Sequence, residues 1–312
     1  MKKSIIALAV SGAALASASA FAADEVTFTP YGNIQLVYAD SDDNNSELTD
    51  NGSTFGFKGE TKVKDGLTAF FKYELEADAD EKTNDIAVNL DQAYLGVKGS
   101  MGKVQVGTFD SIYNNAIQDG VDQLEYIGIS GAATTAEGDT IAYFSPSMSG
   151  FEVQLSAQVK GKADDDVQAA ETATVKAGTT EDGTALTFVA KYSVDALTVA
   201  FGYDSLDNVN GAEETMGLSA EYKLNEALSL RAKYEENDDV DSRFGLGARY
   251  AYGTGDVYGS YQNVDPDSGN SYDEYAIGAT YNVASTMYVY AELGQVEASE
   301  DDVTALGATY VF

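Results

Sequence analysis

Apolar and polar residues alternate with a period of two along most of this chain, and no other feature constrains the fold as strongly. Over residues 197–203, Leu, Val, Phe and Tyr alternate with Thr, Ala and Gly. The same alternation recurs over residues 216–224, 228–234 and 244–250. A period of two puts successive side chains on opposite faces of a β-strand. The sequence therefore predicts an all-β fold, with about sixteen strands by the spacing of the runs.

The connections between the predicted strands differ in length and composition. Short turns, such as residues 64–66, 194–196 and 225–226, alternate with long acidic segments such as residues 40–51 and 162–183. Short turns at one end of a sheet and long loops at the other are typical of an up-and-down barrel. No shift in composition marks a boundary between domains, so we expect a single domain.

Strands with one apolar face occur in soluble sandwiches and in outer-membrane barrels. In a sandwich the apolar face packs against a second sheet, whereas in a barrel it faces lipid around a polar lumen. Tyrosines recur near strand ends on the apolar face, as they do at lipid headgroups. These tyrosines are Tyr38, Tyr73, Tyr192, Tyr203, Tyr222, Tyr234 and Tyr250. The pattern favours a transmembrane antiparallel up-and-down β-barrel over an exported sandwich.

The polar face of the strands supports the same choice. It carries charged side chains, which would be costly to bury in the dry core of a sandwich. In a barrel they would line a water-filled lumen. The lumen bases predicted in this way are Lys58, Lys72, Arg231, Lys233 and Arg249.

Residues 1–22 have the pattern of a secretory signal peptide. Lysines at positions 2 and 3 precede a short apolar run, and the A-F-A motif at 20–22 provides a cleavage site. The alternative is a transmembrane anchor, but the run breaks up into Ser, Gly and Ala and is short for a membrane helix. We therefore expect an exported protein whose signal peptide is cleaved and whose barrel domain spans residues 23–312.

The composition excludes several classes of function. Among 312 residues there is no His and no Cys, which removes His-dependent nucleophilic catalysis, His/Cys zinc sites and disulfides. With 18 Lys+Arg against 51 Asp+Glu, the net charge of −33 disfavours binding to nucleic acid. Most acids fall in the long segments, where they keep the surface solvated, and none has the spacing of a calcium loop. We predict no catalytic residue, no cofactor and no metal site.

Five short motifs occur in order: TPYGN at 29–33, TFGFKGET at 54–61, DQAYLGVKG at 91–99, YFSP at 143–146 and TYVF at 309–312. Together they resemble the general porins of the Gram-negative bacterial outer membrane. The resemblance implies a homotrimer of sixteen-stranded barrels, in contact with lipopolysaccharide and outer-membrane lipid, through which ions and small hydrophilic solutes diffuse passively. It also implies that Tyr310 and Phe312 in the last strand are an assembly signal read by the barrel-insertion machinery.

The resemblance further implies that the third long loop, residues 110–139, folds inward and narrows the pore. In the family, acidic residues on this loop face basic residues on the barrel wall. The corresponding loop acids are Asp119, Asp122 and Glu125. The corresponding wall positions hold Asn33, Thr54 and Asp91, and a fourth basic position aligns near Ala136.

All four basic positions of the wall are therefore lost, and at Asp91 the charge is reversed. A narrow constriction focuses whatever charge lines it, so these residues predict a cation-selective pore. In the alternative, Asp91 pairs with Lys58 or Lys72 and has little effect on selectivity.

Two questions stay open at the level of the sequence. The inward bases of the later strands would form a substitute basic wall or balance charge in the lumen; they are Lys191, Lys223, Arg231, Lys233 and Arg249. Four tyrosines would form an aromatic track for sugars or pack inside the barrel; they are Tyr31, Tyr126, Tyr288 and Tyr290. The alternative functions are a sugar-selective porin, and a structural or adhesive barrel whose acidic loops bind cations.

Overall fold

The computed structural model describes residues 26–41, 46–64, 66–80, 88–132, 137–160, 183–207, 212–296 and 301–312. The predicted signal peptide and Ala136 lie outside these residues. None of the helices in the described ranges is both long enough and apolar enough to cross a membrane.

Nearly all of the described chain is β-strand. The strands are β1 (Thr27–Ser41), β2 (Glu47–Asp50), β3 (Thr54–Lys64), β4 (Leu67–Ala77), β5 (Val88–Gly99), β6 (Gly102–Thr108), β7 (Thr140–Phe144), β8 (Phe151–Lys160), β9 (Gly183–Val194), β10 (Leu197–Asp204), β11 (Thr215–Lys223), β12 (Leu228–Asn237), β13 (Asp241–Ala251), β14 (Asp256–Pro266), β15 (Tyr272–Ala284), β16 (Met287–Val296) and β17 (Asp301–Val311). Between β6 and β7 lie a short α-helix, α1 (Ile112–Ala116), and one turn of 3₁₀-helix (Gln118–Gly120).

The strands form one closed antiparallel barrel. From β3 onward each strand pairs with the next, and β17 pairs with β1 over Ser41 to Asn33. On its other edge β1 pairs with β3 through Thr27–Gly32 and with β2 through Leu36–Ala39. Because β2 and β3 share one position in the wall, the barrel has sixteen strand positions. The predicted fold class, including the number of strands, is confirmed.

The outer face of the barrel is apolar and carries two bands of tyrosine. Six of the seven tyrosines predicted to face lipid are exposed, whereas Tyr203 is half-buried. The band nearer the long loops contains Tyr38, Tyr73, Tyr234, Tyr261 and Tyr275. The band nearer the short turns contains Tyr192, Tyr222, Tyr250, Tyr281 and Tyr310. Two such bands around an apolar wall match the two interfaces of a membrane.

One connection at the end that carries the long loops is short. We name this end the loop rim and the opposite end the short-turn rim. At the loop rim, β12 and β13 are joined by residues 238–240 only. Asp239 has a φ of +56° and the Val240 N–H donates to the carbonyl of Asn237 at 3.1 Å, which closes a tight turn. The alternation of short turns and long loops is therefore interrupted here.

The seam of the barrel joins its first and last strands. Gly32 and Phe312 exchange two backbone hydrogen bonds, at 3.0 and 2.9 Å. Tyr310 and Phe312 are both exposed on the outer face. The residues predicted as an assembly signal therefore lie at the strand that completes the barrel, on the side turned toward lipid.

On the inner face, large rings lie over glycines directly opposite on the next strand. The pairs are Phe70 with Gly96, Tyr258 with Gly278, and Tyr290 with Gly307. A Cβ at Gly307 would lie 2.1 Å from the Tyr290 ring. The glycine thus lets the ring lie flat on the wall, and the ring covers backbone that glycine alone would expose.

We expect Gly307→Ala to lower the free energy of unfolding by about 1–3 kcal/mol, because the buried Tyr290 ring must move to admit the methyl group. The midpoint temperature of heat-induced unfolding is measured from the change in the mobility of the protein on gels. Gly128→Ala is the matched control, since its nearest neighbour would be 3.8 Å away. Equal midpoints for both variants would contradict the tight fit at Gly307.

Candidate functional site

The described parts of the connection between β6 and β7, residues 109–132 and 137–139, run inside the barrel, and we name them the internal loop. Ser111 caps α1 by accepting a hydrogen bond from the Tyr113 N–H at 3.2 Å. Tyr113 is buried, and its hydroxyl lies 3.1 Å from that of Thr215 on β11. The loop therefore leaves β6 and at once packs against the inner face of the wall between β9 and β11.

Glycines in the wall make room for the internal loop. A Cβ at Gly217 would lie 2.3 Å from a side-chain carbon of Ile117, and one at Gly245 would lie 2.8 Å from Val121. Small residues on the inner face of β11 and β13 thus form a trough for the apolar side chains of the loop. Ser260 fixes the loop within this trough by donating a hydrogen bond to the Val121 carbonyl at 2.6 Å.

A single buried carboxylate holds the tip of the internal loop. Glu292 on β16 is 1% exposed. Its oxygens accept the backbone N–H groups of Glu125, Tyr126 and Ile127 at 2.6, 3.0 and 2.9 Å. The Tyr258 hydroxyl donates to the same carboxylate at 2.8 Å. Consecutive N–H groups converging on an anion form strong, charge-assisted hydrogen bonds, so Glu292 fixes the path of the loop.

A second anchor is built around Ser130. Its hydroxyl donates to Glu274 at 2.5 Å, and its carbonyl accepts from Gln262 at 2.9 Å and from Lys233 at 3.3 Å. Arg243 also contacts the Ser130 hydroxyl. The returning half of the loop is therefore tied to β12, β13, β14 and β15.

Lys233 points inward, but it does not line the channel. It is 2% exposed and pairs with Glu235 at 3.3 Å beneath the loop. Its ammonium group also donates to the carbonyl of Gln118 at 3.2 Å. A buried ammonium needs such partners to offset its desolvation. The charge of Lys233 is therefore used to hold the loop rather than to face the lumen.

Acidic side chains meet where the internal loop leaves the wall. Asp110 accepts a hydrogen bond from Gln92 at 2.8 Å. It interacts electrostatically both with Asp119 on the loop and with Asp91 on β5. Asp91 in turn is a hydrogen-bonding neighbour of Glu74. We name Glu74, Asp91, Asp110 and Asp119 the acidic group.

Asp119 is exposed as a residue, but the surrounding protein partly desolvates its carboxyl group. Desolvation raises its pKa to about 6, and the negative charges of Asp122 and Asp110 act in the same direction. Asp122 is half-buried, and its oxygens accept the N–H groups of Leu124 and Ile129 at 3.1 and 3.2 Å. Burial raises the pKa of Asp122, while these two hydrogen bonds oppose the shift. Of the predicted loop acids, Asp119 faces the channel and Asp122 shapes the loop.

A β-bulge positions Asp91. Glu74 pairs with Gln92 and Leu75 pairs with Leu90, so that Asp91 is the extra residue on β5. A bulge changes the direction of a side chain relative to strict alternation. The bulge places Asp91 beside Glu74, whose carboxylate pairs with Lys72 at 2.6 Å. Lys72 also donates to Gln92 at 3.0 Å, so its direct contacts are with the neighbours of Asp91.

The other two predicted wall positions form a neutral pair. The Asn33 amide donates to the Thr54 hydroxyl at 3.2 Å, and the Thr54 N–H donates back to the Asn33 side chain at 3.1 Å. Gln35 extends the pair, since its amide donates to Asn33 at 3.3 Å. This part of the wall therefore presents amides and hydroxyls instead of charge.

The remaining predicted lumen bases have partners of their own. The ammonium group of Lys58 lies 4.8 Å from the centroid of the Tyr31 ring. Arg231 lies 3.5 Å from Glu221 on the neighbouring strand. Arg249 lies 3.4 Å from Glu125 and 3.5 Å from Asp256, and its guanidinium stacks on the ring of Tyr258. The third loop acid, Glu125, is therefore balanced by a base.

The four tyrosines of the predicted aromatic track differ in how deeply they are buried. Tyr290 is 4% exposed and accepts a hydrogen bond from Asn51 at 3.1 Å. Tyr288, Tyr126 and Tyr31 are half-buried, and the Tyr288 hydroxyl donates to Glu125 at 2.8 Å. Tyr290 therefore packs under the loop, whereas the other three are only partly covered.

The acids that anchor the loop are not among the site residues predicted from the sequence. They are Glu235, Glu274 and Glu292. Each occupies a position that the alternation turns inward, and Glu292 follows the inward residues 288 and 290. Glu292 is an isolated acid at an inward position among uncharged neighbours, and this pattern is the signal that could have identified it as an anchor.

Comparison with known proteins gives one consistent result. The profile of the family described as Gram-negative porin matches residues 6–301. A monosaccharide porin from a Halomonas species and the major outer membrane protein of Halomonas elongata are each 34% identical, over 100% of both chains. The structure of the anion-selective porin from Comamonas acidovorans superposes with a TM-score of 0.72 at 18% identity, over 92% of this chain and 100% of the other. At that identity the superposition shows the fold alone.

We expect Glu292→Gln to loosen the tip of the internal loop, because an amide cannot accept all of the hydrogen bonds that the carboxylate accepts. Hydrogen exchange should become faster at the amides of Glu125, Tyr126 and Ile127, and the free energy of unfolding should fall by about 1–3 kcal/mol. Glu60→Gln is the control. It removes an exposed ion pair with Lys98, which should change stability by less than about 1 kcal/mol. Unchanged exchange in Glu292→Gln would show that other contacts hold the loop.

Proposed function

This chain belongs to the Gram-negative porin family, and from that premise we propose that its barrel is a cation-selective channel. It is an outer-membrane protein that allows passive diffusion through a β-barrel, and it is a channel protein rather than an enzyme. The proposal concerns which ions and solutes the lumen favours.

The acidic group supports cation selectivity. Asp119 and Asp110 belong to the internal loop, and Glu74 and Asp91 belong to the wall of β4 and β5. Lys72 pairs with Glu74 at 2.6 Å. The charge of Lys233 also acts on Asp119, although Lys233 itself pairs with Glu235. In a confined space of low dielectric constant, the excess negative charge raises the local concentration of cations.

Neutral residues at the other wall positions reinforce this effect. Asn33 and Thr54 satisfy each other by hydrogen bonds and offer no positive charge to balance the acids. The Comamonas acidovorans structure is named an anion-selective porin although it has the same fold. Selectivity therefore depends on the charges that line the lumen and not on the architecture.

A second candidate is a channel with a preference for sugars. The relative from the Halomonas species is named a monosaccharide porin and covers the whole chain at 34% identity. The half-buried Tyr288 and the neutral amides of Asn33 and Gln35 on the lumen wall favour this function. It is compatible with cation selectivity, since the two properties depend on different residues.

We extend the proposal to maturation and assembly. Residues 1–22 are a cleaved signal peptide and residues 23–312 form the mature barrel, which assembles as a homotrimer in contact with lipopolysaccharide and outer-membrane lipid. The barrel-insertion machinery reads the last strand through Tyr310 and Phe312, whose exposure on the outer face supports this role.

The reversal potential is measured across a planar bilayer with different salt concentrations on its two sides. We expect its sign to show that cations cross the channel more readily than anions. Asp91→Arg should move the potential toward zero, because it replaces a carboxyl group of the acidic group with a permanent positive charge. Glu226→Arg makes the same change of charge in an exposed turn at the short-turn rim and should leave the potential unchanged. Anion preference in the unmodified protein would contradict the proposal, and an absence of conductance would favour a structural or adhesive barrel.

We expect the cation preference to depend on pH near the pKa of Asp119, which is about 6. The carboxylate is charged above this pH and neutral below it, so lowering the pH from about 7.5 to about 5 should reduce the preference. Asp119→Asn should start from a smaller preference and lose less of it over the same interval. If the cation preference of the two proteins has the same size and the same dependence on pH, Asp119 does not contribute to the selectivity.

A further inference from the structure

A continuous set of polar side chains lies on the lumen wall beside the tip of the internal loop. We name it the polar belt and define it as Asn33, Gln35, Thr309, Tyr288, Glu125 and Arg249. It spans β1, β17, β16, the loop tip and β13. Thr309 is buried, and the other members are half-buried.

Hydrogen bonds connect the members of the polar belt in sequence. Gln35 donates to Asn33 at 3.3 Å, and Thr309 donates to Gln35 at 3.5 Å. Tyr288 is directly opposite Thr309 on the adjacent strand and within its hydrogen-bonding reach. Gln35 and Tyr288 therefore flank the same point of the wall.

The belt continues from Tyr288 onto the loop. The Tyr288 hydroxyl donates to Glu125 at 2.8 Å, and Arg249 lies 3.4 Å from the other oxygen of the same carboxylate. The two charges of the belt thus face each other, and its other four members are neutral. A surface of paired and neutral groups offers hydrogen bonds, which suit the hydroxyls of an uncharged solute.

Several contacts of the belt are long. The distances from Thr309 to Gln35 and from Arg249 to Glu125 are 3.5 and 3.4 Å, beyond the usual range for hydrogen bonds between such groups. Long hydrogen bonds contribute little, so the hydroxyl groups of a solute can replace them at small cost. The amide of Gln35 also donates to the Gly52 carbonyl at 3.1 Å, so a solute binds by replacing the long contacts of the belt and not by filling empty positions.

An aromatic ring lies within the belt. Tyr288 is half-buried, and its ring centroid is 6.5 Å from that of Tyr290, which packs behind it. A ring supported in this way presents an apolar face next to polar groups. A pyranose has the matching chemistry, since its C–H groups can cover the ring while its hydroxyls reach the amides of Asn33 and Gln35.

We propose that the polar belt is a transient binding site for neutral monosaccharides inside the channel. This inference rests on the proposed function, because a solute must enter the lumen to reach the belt. Different parts of the lumen wall then interact with different solutes. The acidic group attracts cations, and the polar belt binds sugars.

The experiment measures the ion current through single channels while D-glucose is titrated into the bath. Binding at the belt should lower the current in a saturable way, whereas triethylene glycol, a neutral solute with few hydroxyls, should lower it only in proportion to viscosity. Gln35→Leu should raise the half-saturating glucose concentration about 3- to 10-fold, as expected for the loss of one or two hydrogen bonds. Tyr288→Phe should raise it by a similar factor and provides a second variant if Gln35→Leu does not assemble.

Gln154→Leu is the matched control, since Gln154 is also a half-buried glutamine at an inward position, but on β8 and away from the belt. It should leave the glucose titration unchanged. A normal, cation-selective current without a saturable effect of glucose overturns the sugar site and leaves the proposed selectivity intact. Equal effects of Gln35→Leu and Gln154→Leu also overturn it. An absence of ion conductance overturns the proposed function and the sugar site together.

Discussion

The structure depends on one constraint, which is that a strand in lipid must find partners for its backbone on both edges. Lipid offers neither donors nor acceptors, so an open edge would leave a row of N–H and C=O groups unpaired. The pairing of β17 with β1 removes the last open edge of the sheet. Once the sheet is closed, one face must be apolar and the other must enclose a lumen. The alternation of the sequence, the tyrosine bands and the location of charge all follow from this closure.

The closed wall also explains how an internal loop can be held so firmly. Carboxylates and ammonium groups on the inner face, such as Glu292 and Lys233, would be costly to bury without partners. The internal loop provides those partners through its own backbone, at the N–H groups that Glu292 accepts and the carbonyls to which Lys233 donates. Loop and wall therefore satisfy each other, and the width of the channel is set by buried polar contacts as much as by apolar packing.

The fold could be predicted from the sequence because a period of two is a local property that every strand repeats. The site could be predicted only in part. Asp119 lies at the lumen surface, but Lys233 points inward and is covered, since alternation gives the direction of a side chain and not what lies above it. The bulge at Asp91 interrupts the alternation itself. The role of Glu292 depends on three amides that are more than 160 positions away in the chain, and no local pattern contains that information.

The seam between β1 and β17 also determines the order in which the molecule can form. Hairpins such as β14–β15 join neighbouring segments, and each can form while the rest of the chain is unfolded. The pair Gly32–Phe312 joins segments with almost the whole barrel between them. Contacts of such high sequence separation are slow to form, because the chain must lose much of its conformational freedom before they contribute any stabilisation. We therefore expect closure to be the last step of folding, and until it occurs the first strand has a free edge that must be shielded from the edges of other chains.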